Sequence, residues 1–229
     1  AGRPGPPLLA RVRDRQAVAR SGTEPHFRMM KNSNTLQAST TPFGWLIVLA
    51  FLTAALLPGS QSRAEPLGEA IAGIDADVLF LRHALAPGFG DPANFRIDDC
   101  TTQRNLDDVG RAQARAIGDY MQENRIAPDA ILSSRWCRCQ DTAREMDMGP
   151  FTTHDGLNSF FEGHVDRERT LTDLRERMRA IEDGSLVLMV THQVVITAIT
   201  GIAPRSGGMV AYNSRTGERV SVPPLAKRP

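Results

Sequence analysis

The 229-residue chain is 41% hydrophobic and 23% charged, a globular composition that excludes the disordered and fibrous classes. Its net charge of +1 hides a division, since residues 1–64 hold 8 Lys/Arg against 2 Asp/Glu while residues 65–229 hold 19 against 24. The acidic second part lacks the basic stripe of a nucleic-acid surface, so no nucleic-acid partner is expected.

Residues 1–28 are rich in Arg, Pro and Gly and follow neither helical nor strand period. Met29-Met30-Lys31 reads as a translation start, which makes residues 1–29 a non-native or disordered leader. Residues 30–64 read as a signal peptide. Lys31 supplies the charge, Gly44 to Leu57 the apolar core, Pro58 and Gly59 the break, and Ser62-Arg63-Ala64 the cleavage site. The core is shorter than the roughly 20 apolar residues of a membrane span. Cleavage after Ala64 is expected to leave residues 65–229 as one domain, periplasmic or secreted, in an oxidising compartment and without stable membrane association.

Along that domain, Glu65 to Ala76 reads as a short amphipathic lead-in, and Asp77 to Arg82 as a buried strand, an apolar run bounded by charges. A Gly- and Pro-containing loop follows from Ala86 to Thr102. Leu106 to Glu123 is predicted helical, with Asp107 and Asp108 favouring its first turn, Asn105 as its cap, and Ala112, Ala116, Ile117 and Tyr120 on its apolar face. Asp129 to Ser134 is the second strand and Arg138 to Met146 the second helix. Arg167 to Glu182 is a third helix, charged enough to face solvent. Leu186 to Thr191 is a third apolar strand, and Val194 to Thr200 a fourth helix ended by Gly201. Met209 to Asn213 and Arg219 to Val222 form a closing hairpin.

Apolar strands alternating with helices predict an α/β three-layer sandwich, a mainly parallel central sheet flanked by helices. Ligands of such sheets sit at the carboxyl ends of the strands. There the sequence places Arg82 and His83, then Ser133, Ser134 and Arg138, then His192. Guanidinium groups pair with phosphate oxygens, and a neutral imidazole is a competent nucleophile toward phosphorus.

Four segments carry a resemblance: LFLRHA (79–84), TQRNLDDVGRAQARAIG (102–118), ILSSRWCRCQDTA (131–143) and VLMVTHQVVITAITG (187–201). In this order they resemble the histidine phosphatase superfamily, the phosphoglycerate mutase-like group, on its first branch. The resemblance spans about residues 77–201. It implies the phosphoglycerate mutase-like fold, a phosphohydrolase acting on a small phosphomonoester through a phosphohistidine, and no cofactor or metal. It makes His83 the nucleophile, Arg82 and Arg138 the phosphate clamps and His192 the second pocket histidine. A cell-envelope phosphosugar is one substrate that an exported member would meet. A phosphohistidine protein phosphatase, a phosphomutase and a non-catalytic phosphate-binding module are the alternatives.

Three positions depart from the family pattern. Ala84 and Gln193 stand where glycine is usual, and Leu157-Asn158-Ser159 replaces a Leu-Asn-Glu sequence. Glu162 is therefore the first candidate for the proton donor and Asp155 the second. His154 and His164 read as ordinary loop histidines, and Asp98-Asp99 equally as a substrate-shaping or a solvated pair. Cys100, Cys137 and Cys139 lack the number and spacing of a metal site. Export favours one disulfide, from Cys100 to Cys137 or Cys139.

Overall fold

The structure, a computed structural model, describes residues 66–222. The expected leader, signal peptide and cleavage site lie outside the described residues. No described helix is long and apolar enough to cross a membrane.

The elements in chain order are α1 (Pro66–Gly73), β1 (Val78–Arg82), α2 (Asp108–Glu123), β2 (Ala130–Ser133), α3 (Cys137–Glu145), β3 (Thr152–Thr153), α4 (Arg167–Arg179), β4 (Val187–Thr191), α5 (Gln193–Thr200), β5 (Met209–Tyr212) and β6 (Arg219–Val222). They form one six-stranded sheet in the order β3-β2-β4-β1-β5-β6. The first four strands run parallel, with Leu79 opposite Leu188 and Ile131 opposite the same residue on the other edge. β5 turns antiparallel against β1, and β6 returns along β5.

Strand alternation splits the core into two layers. Leu79, Leu81, Ile131, Leu188 and Val190 pack on one face with Leu67 of α1, Ile117 and Met121 of α2, and Ala143 of α3. Val78, Phe80, Leu132, Val187 and Met189 pack on the other with Leu174 and Met178 of α4 and Val195 and Ile196 of α5. Helices cover both faces, and the fold is the three-layer α/β sandwich the sequence predicts.

Local differences have physical causes. Asp107 caps α2, its carboxylate accepting the N–H of Gly110 at 2.8 Å, while Asn105 donates its amide to the Cys100 carbonyl at 2.6 Å. The buried face of α2 is Gly110, Ala114, Ile117, Gly118 and Met121, so the predicted Ala112 and Ala116 are exposed. A Cβ at Gly110 would lie 1.9 Å from the Leu85 carbonyl oxygen, and one at Gly118 equally close to that of Met146. Two glycines therefore mark where the helix backbone meets its neighbours directly. α4 stops at Arg179, three residues before its predicted end.

Candidate active site

The order β2-β4-β1 sets three parallel strand ends side by side. His83 follows β1, and its N–H donates to the Thr191 carbonyl at 2.9 Å. Ser134 follows β2 and donates to the Val190 carbonyl at the same distance. Arg138 lies in the first turn of α3, and His192 is the residue from which α5 starts. The sheet thus gathers the predicted site: the rings of His83 and His192 stand edge to face, 5.4 Å between centroids. Both histidines and Arg138 are at most 3% exposed.

Nδ1 of His83 lies 2.7 Å from the Ala84 carbonyl oxygen. A carbonyl only accepts, so Nδ1 carries the proton and Nε2 of the neutral ring keeps its lone pair. Burial, and after it the charge of Arg138, pushes the His83 pKa down to about 3, against the opposing pull of the Ala84 carbonyl. His192 is held well below its ordinary value by burial and then by Arg138. Its Nε2 lies 3.0 Å from Ser134 Oγ and 3.5 Å from Cys139 Sγ, and Trp136 stands edge-on to its ring.

Arg82 donates from Nη1 to Gln193 Oε1 at 2.8 Å and to the Pro204 carbonyl at 3.0 Å. The glutamine in place of the family's glycine therefore holds the first clamp. Ala84 sits fully buried, its N–H on Thr142 Oγ1 at 3.0 Å. Arg138 donates from Nη1 and Nη2 to the two carboxylate oxygens of Asp91, at 2.8 and 3.2 Å. The Nε atoms of Arg82 and Arg138 are both buried with no hydrogen-bond partner.

Two residues here escaped the sequence reading. Asp91 also accepts the Arg104 N–H and the Trp136 indole N–H, each at 3.0 Å. Burial pushes its carboxyl up, but the hydrogen bonds and charge of Arg138 outweigh this and hold it below the usual range. Arg104 is half-buried, donates to the Gly90 and Ala86 carbonyls, and adds a third cationic influence on His83. Motif spacing could not reveal either one, because both sit in a loop whose path depends on the finished fold.

Glu162 is an edge residue, its Oε2 accepting the Asp91 N–H at 3.0 Å and lying 3.7 Å from His164 Nε2. Asp155 is turned away, accepting from Asn158 Nδ2 at 3.0 Å with Arg135 beyond it at 3.9 Å. Asp91, Glu162 and His164 bring possible ligand atoms within 4.8 Å of one another. Both Asp91 oxygens are committed to Arg138, which makes the trio a poor cation cage. Asp99 caps the one-turn 3₁₀ helix Cys100–Thr102, and Asp98 forms an exposed ion pair with Arg135 at 2.6 Å. His154 caps its own turn, and His164 packs against Phe95 at a tilt, 4.3 Å between ring centroids. Cys100 and Cys137 form the disulfide, next in sequence to Arg138, and Cys139 remains a buried thiol.

Residues 78–180 match the profile described as histidine phosphatase superfamily, branch 1. Over that span the chain is similar to the histidine phosphatase superfamily. Among solved structures, the chain is similar to SixA from Agrobacterium tumefaciens, with 22% identity, TM-score 0.44, and 66% of this chain and 98% of the other covered. It is similar to the protein histidine phosphatase SixA complexed with tungstate (16%, 0.44, 63% and 92%). It is also similar to a mycobacterial glucosyl-3-phosphoglycerate phosphatase (14%, 0.44, 65% and 98%). No curated protein matches the chain. The family match supports phosphatase activity and leaves the substrate and the chemical steps to the site itself.

Proposed function

We propose that the protein is a phosphohydrolase that cleaves a small phosphomonoester through a phosphohistidine on His83. One observation carries the reading. A neutral imidazole with its Nε2 lone pair fixed by the Ala84 contact lies among guanidiniums, two of which keep a buried, unpaired Nε–H. A phosphoryl group satisfies both needs: its oxygens accept from the guanidiniums while its phosphorus meets the nucleophile.

In the first step His83 Nε2 gives its lone pair to phosphorus, the bond to the ester oxygen breaks, and that oxygen leaves with a proton. Glu162 is the donor we favour, because its carboxylate sits beside the backbone of Asp91, the partner of Arg138. In the second step water attacks phosphorus, the P–N bond breaks, the water proton passes to the donor's carboxylate, and inorganic phosphate leaves. His192 steadies the phosphoryl oxygens. A dianionic phosphate nearby raises a histidine's pKa and so favours the extra N–H this needs. Arg82 and Arg138 supply the positive charge that a metal supplies elsewhere, so turnover is expected to be metal-independent. The disulfide fits an exported enzyme, for which phosphorylated envelope sugars are the first substrates to assay.

The test is a rapid acid-free quench with a radiolabelled phosphomonoester. Acid-labile, base-stable label is expected on the wild-type protein and absent from His83→Ala. Full turnover in His83→Ala, or activity abolished by EDTA and restored by zinc or magnesium, overturns the mechanism.

A further inference from the structure

The Arg138–Asp91 pair is unusual in how completely it is enclosed: both side chains are 4% exposed. A buried ion pair is rarely retained for stability alone, because removing two charges from water offsets most of their attraction. Here the carboxylate is also saturated. Oδ1 takes Arg138 Nη1 and the Arg104 N–H, and Oδ2 takes Arg138 Nη2 and the Trp136 indole. Trp136 is fully buried between Phe95, which stacks on it, and His192, so the carboxylate is tied to a fixed wall. The Asp91 backbone is fixed in turn by Glu162, and the preceding Gly90 carbonyl by Arg104.

We propose that Asp91 is a positioning residue for phosphate binding, acting through Arg138: it grips both Nη groups and leaves the Nε–H as the edge presented to a phosphoryl oxygen. A guanidinium is planar, so fixing two terminal nitrogens fixes the direction of the third N–H. The same carboxylate offsets one of the positive charges of Arg82, Arg104 and Arg138. Product phosphate then meets a strongly aimed site rather than a strongly charged one. This inference rests on the phosphatase reading of the site, but its binding arm does not require turnover.

The experiment is a double-mutant cycle of Asp91→Asn and Arg138→Ala, with kcat/KM for p-nitrophenyl phosphate and calorimetric binding of inorganic phosphate as readouts, both per folded molecule. Loosening a catalytic group by about 1 Å costs on the order of 10²-fold. Asp91→Asn is expected to lose roughly 10- to 10²-fold in kcat/KM and to weaken phosphate binding in the wild-type background. In the Arg138→Ala background the same change should have almost no effect on either, since groups acting as a unit are non-additive. Equal losses in both backgrounds, or a lowered melting temperature with kcat/KM and phosphate affinity unchanged, overturn the proposal. If Asp91→Asn does not fold, Asp91→Glu keeps the charge and displaces the carboxylate by one methylene, and the same non-additivity decides. Failure of the phosphatase reading shows separately, as absent turnover in wild type with phosphate binding still coupled between positions 91 and 138.

Discussion

The hydroxyl of Ser134 lies 3.0 Å from Nε2 of His192, and its single proton is already spoken for. It donates to Asn158 Oδ1 at 3.1 Å, an atom that also accepts the Arg135 N–H at 2.9 Å. Ser134 must therefore accept from His192, which places the proton of that neutral ring on Nε2. His83 carries the opposite tautomer. The asparagine of Leu157-Asn158-Ser159 thus sets, through Ser134, the proton position of a histidine distant in the sequence. Ser134→Ala is expected to lower kcat for a phosphomonoester roughly 10-fold, and to cost about 1–3 kcal/mol of stability because a buried N–H loses its acceptor. An unchanged kcat in a folded, destabilised variant would assign the hydroxyl a structural role alone.

The strand-end residues were legible in the sequence for a simple reason. Short, continuously apolar runs ending in Arg-His, Ser-Ser and Thr-His, alternating with helical segments, read as buried parallel strands, and such strands deliver their next residues to one edge. What stayed hidden was contact that sequence distance conceals. Asp91 meets Arg138 across 47 positions, and Glu162 meets Asp91 across 71. The face of α2 was misjudged because its closest approaches use Gly110 and Gly118, which a search for apolar side chains passes over. The cap of α2 was placed two residues early because Asn105 and Asp107 are both good caps, and only the loop path assigns Asn105 to Cys100.

Glu162→Gln tests the proton donor. The amide keeps the shape and can still accept the Asp91 N–H through its oxygen, but it cannot give up a proton. Turnover of alkyl phosphates should fall by roughly 10²-fold or more. Turnover of p-nitrophenyl phosphate, whose leaving group needs little protonation, should change far less. Equal losses on the two substrates remove Glu162 from the role.

The three cysteines should behave differently in one alkylation experiment. Burial pushes the Cys139 thiol up to about 12, so it carries almost no thiolate near neutral pH and should resist iodoacetamide in the native protein. Unfolding without reductant should expose one reactive thiol, and with reductant three. The disulfide spans a sequence separation of 37, for which loop-closure entropy suggests a contribution of about 4 kcal/mol. Cys100→Ser with Cys137→Ser should therefore lower the urea midpoint strongly. A native protein with three titratable thiols contradicts the pairing.

Acid should destabilise the protein through the two site histidines. In the unfolded chain a histidine takes its proton near pH 6.5, whereas folded His83 takes it only near about 3. Between these values the unfolded state binds more protons, so stability is intact above about pH 6.5 and falls as the pH drops toward about 3. Each such histidine contributes a slope of up to ~1.4 kcal/mol per pH unit within that window. His192, whose pKa is lowered by the same burial and the same Arg138 charge, acts in the same direction. Urea unfolding followed from about pH 7 to about pH 4.5 should show this loss in wild type, and a shallower one in His83→Ala. Over the same range His83 stays unprotonated in the folded enzyme, so kcat/KM should show no acid limb from the nucleophile. Any limb near about pH 6 should instead track the second ionisation of the phosphomonoester. Parallel acid slopes in wild type and His83→Ala, or a nucleophile that titrates near pH 6.5 by NMR in the folded protein, would contradict the buried, cation-flanked site described above.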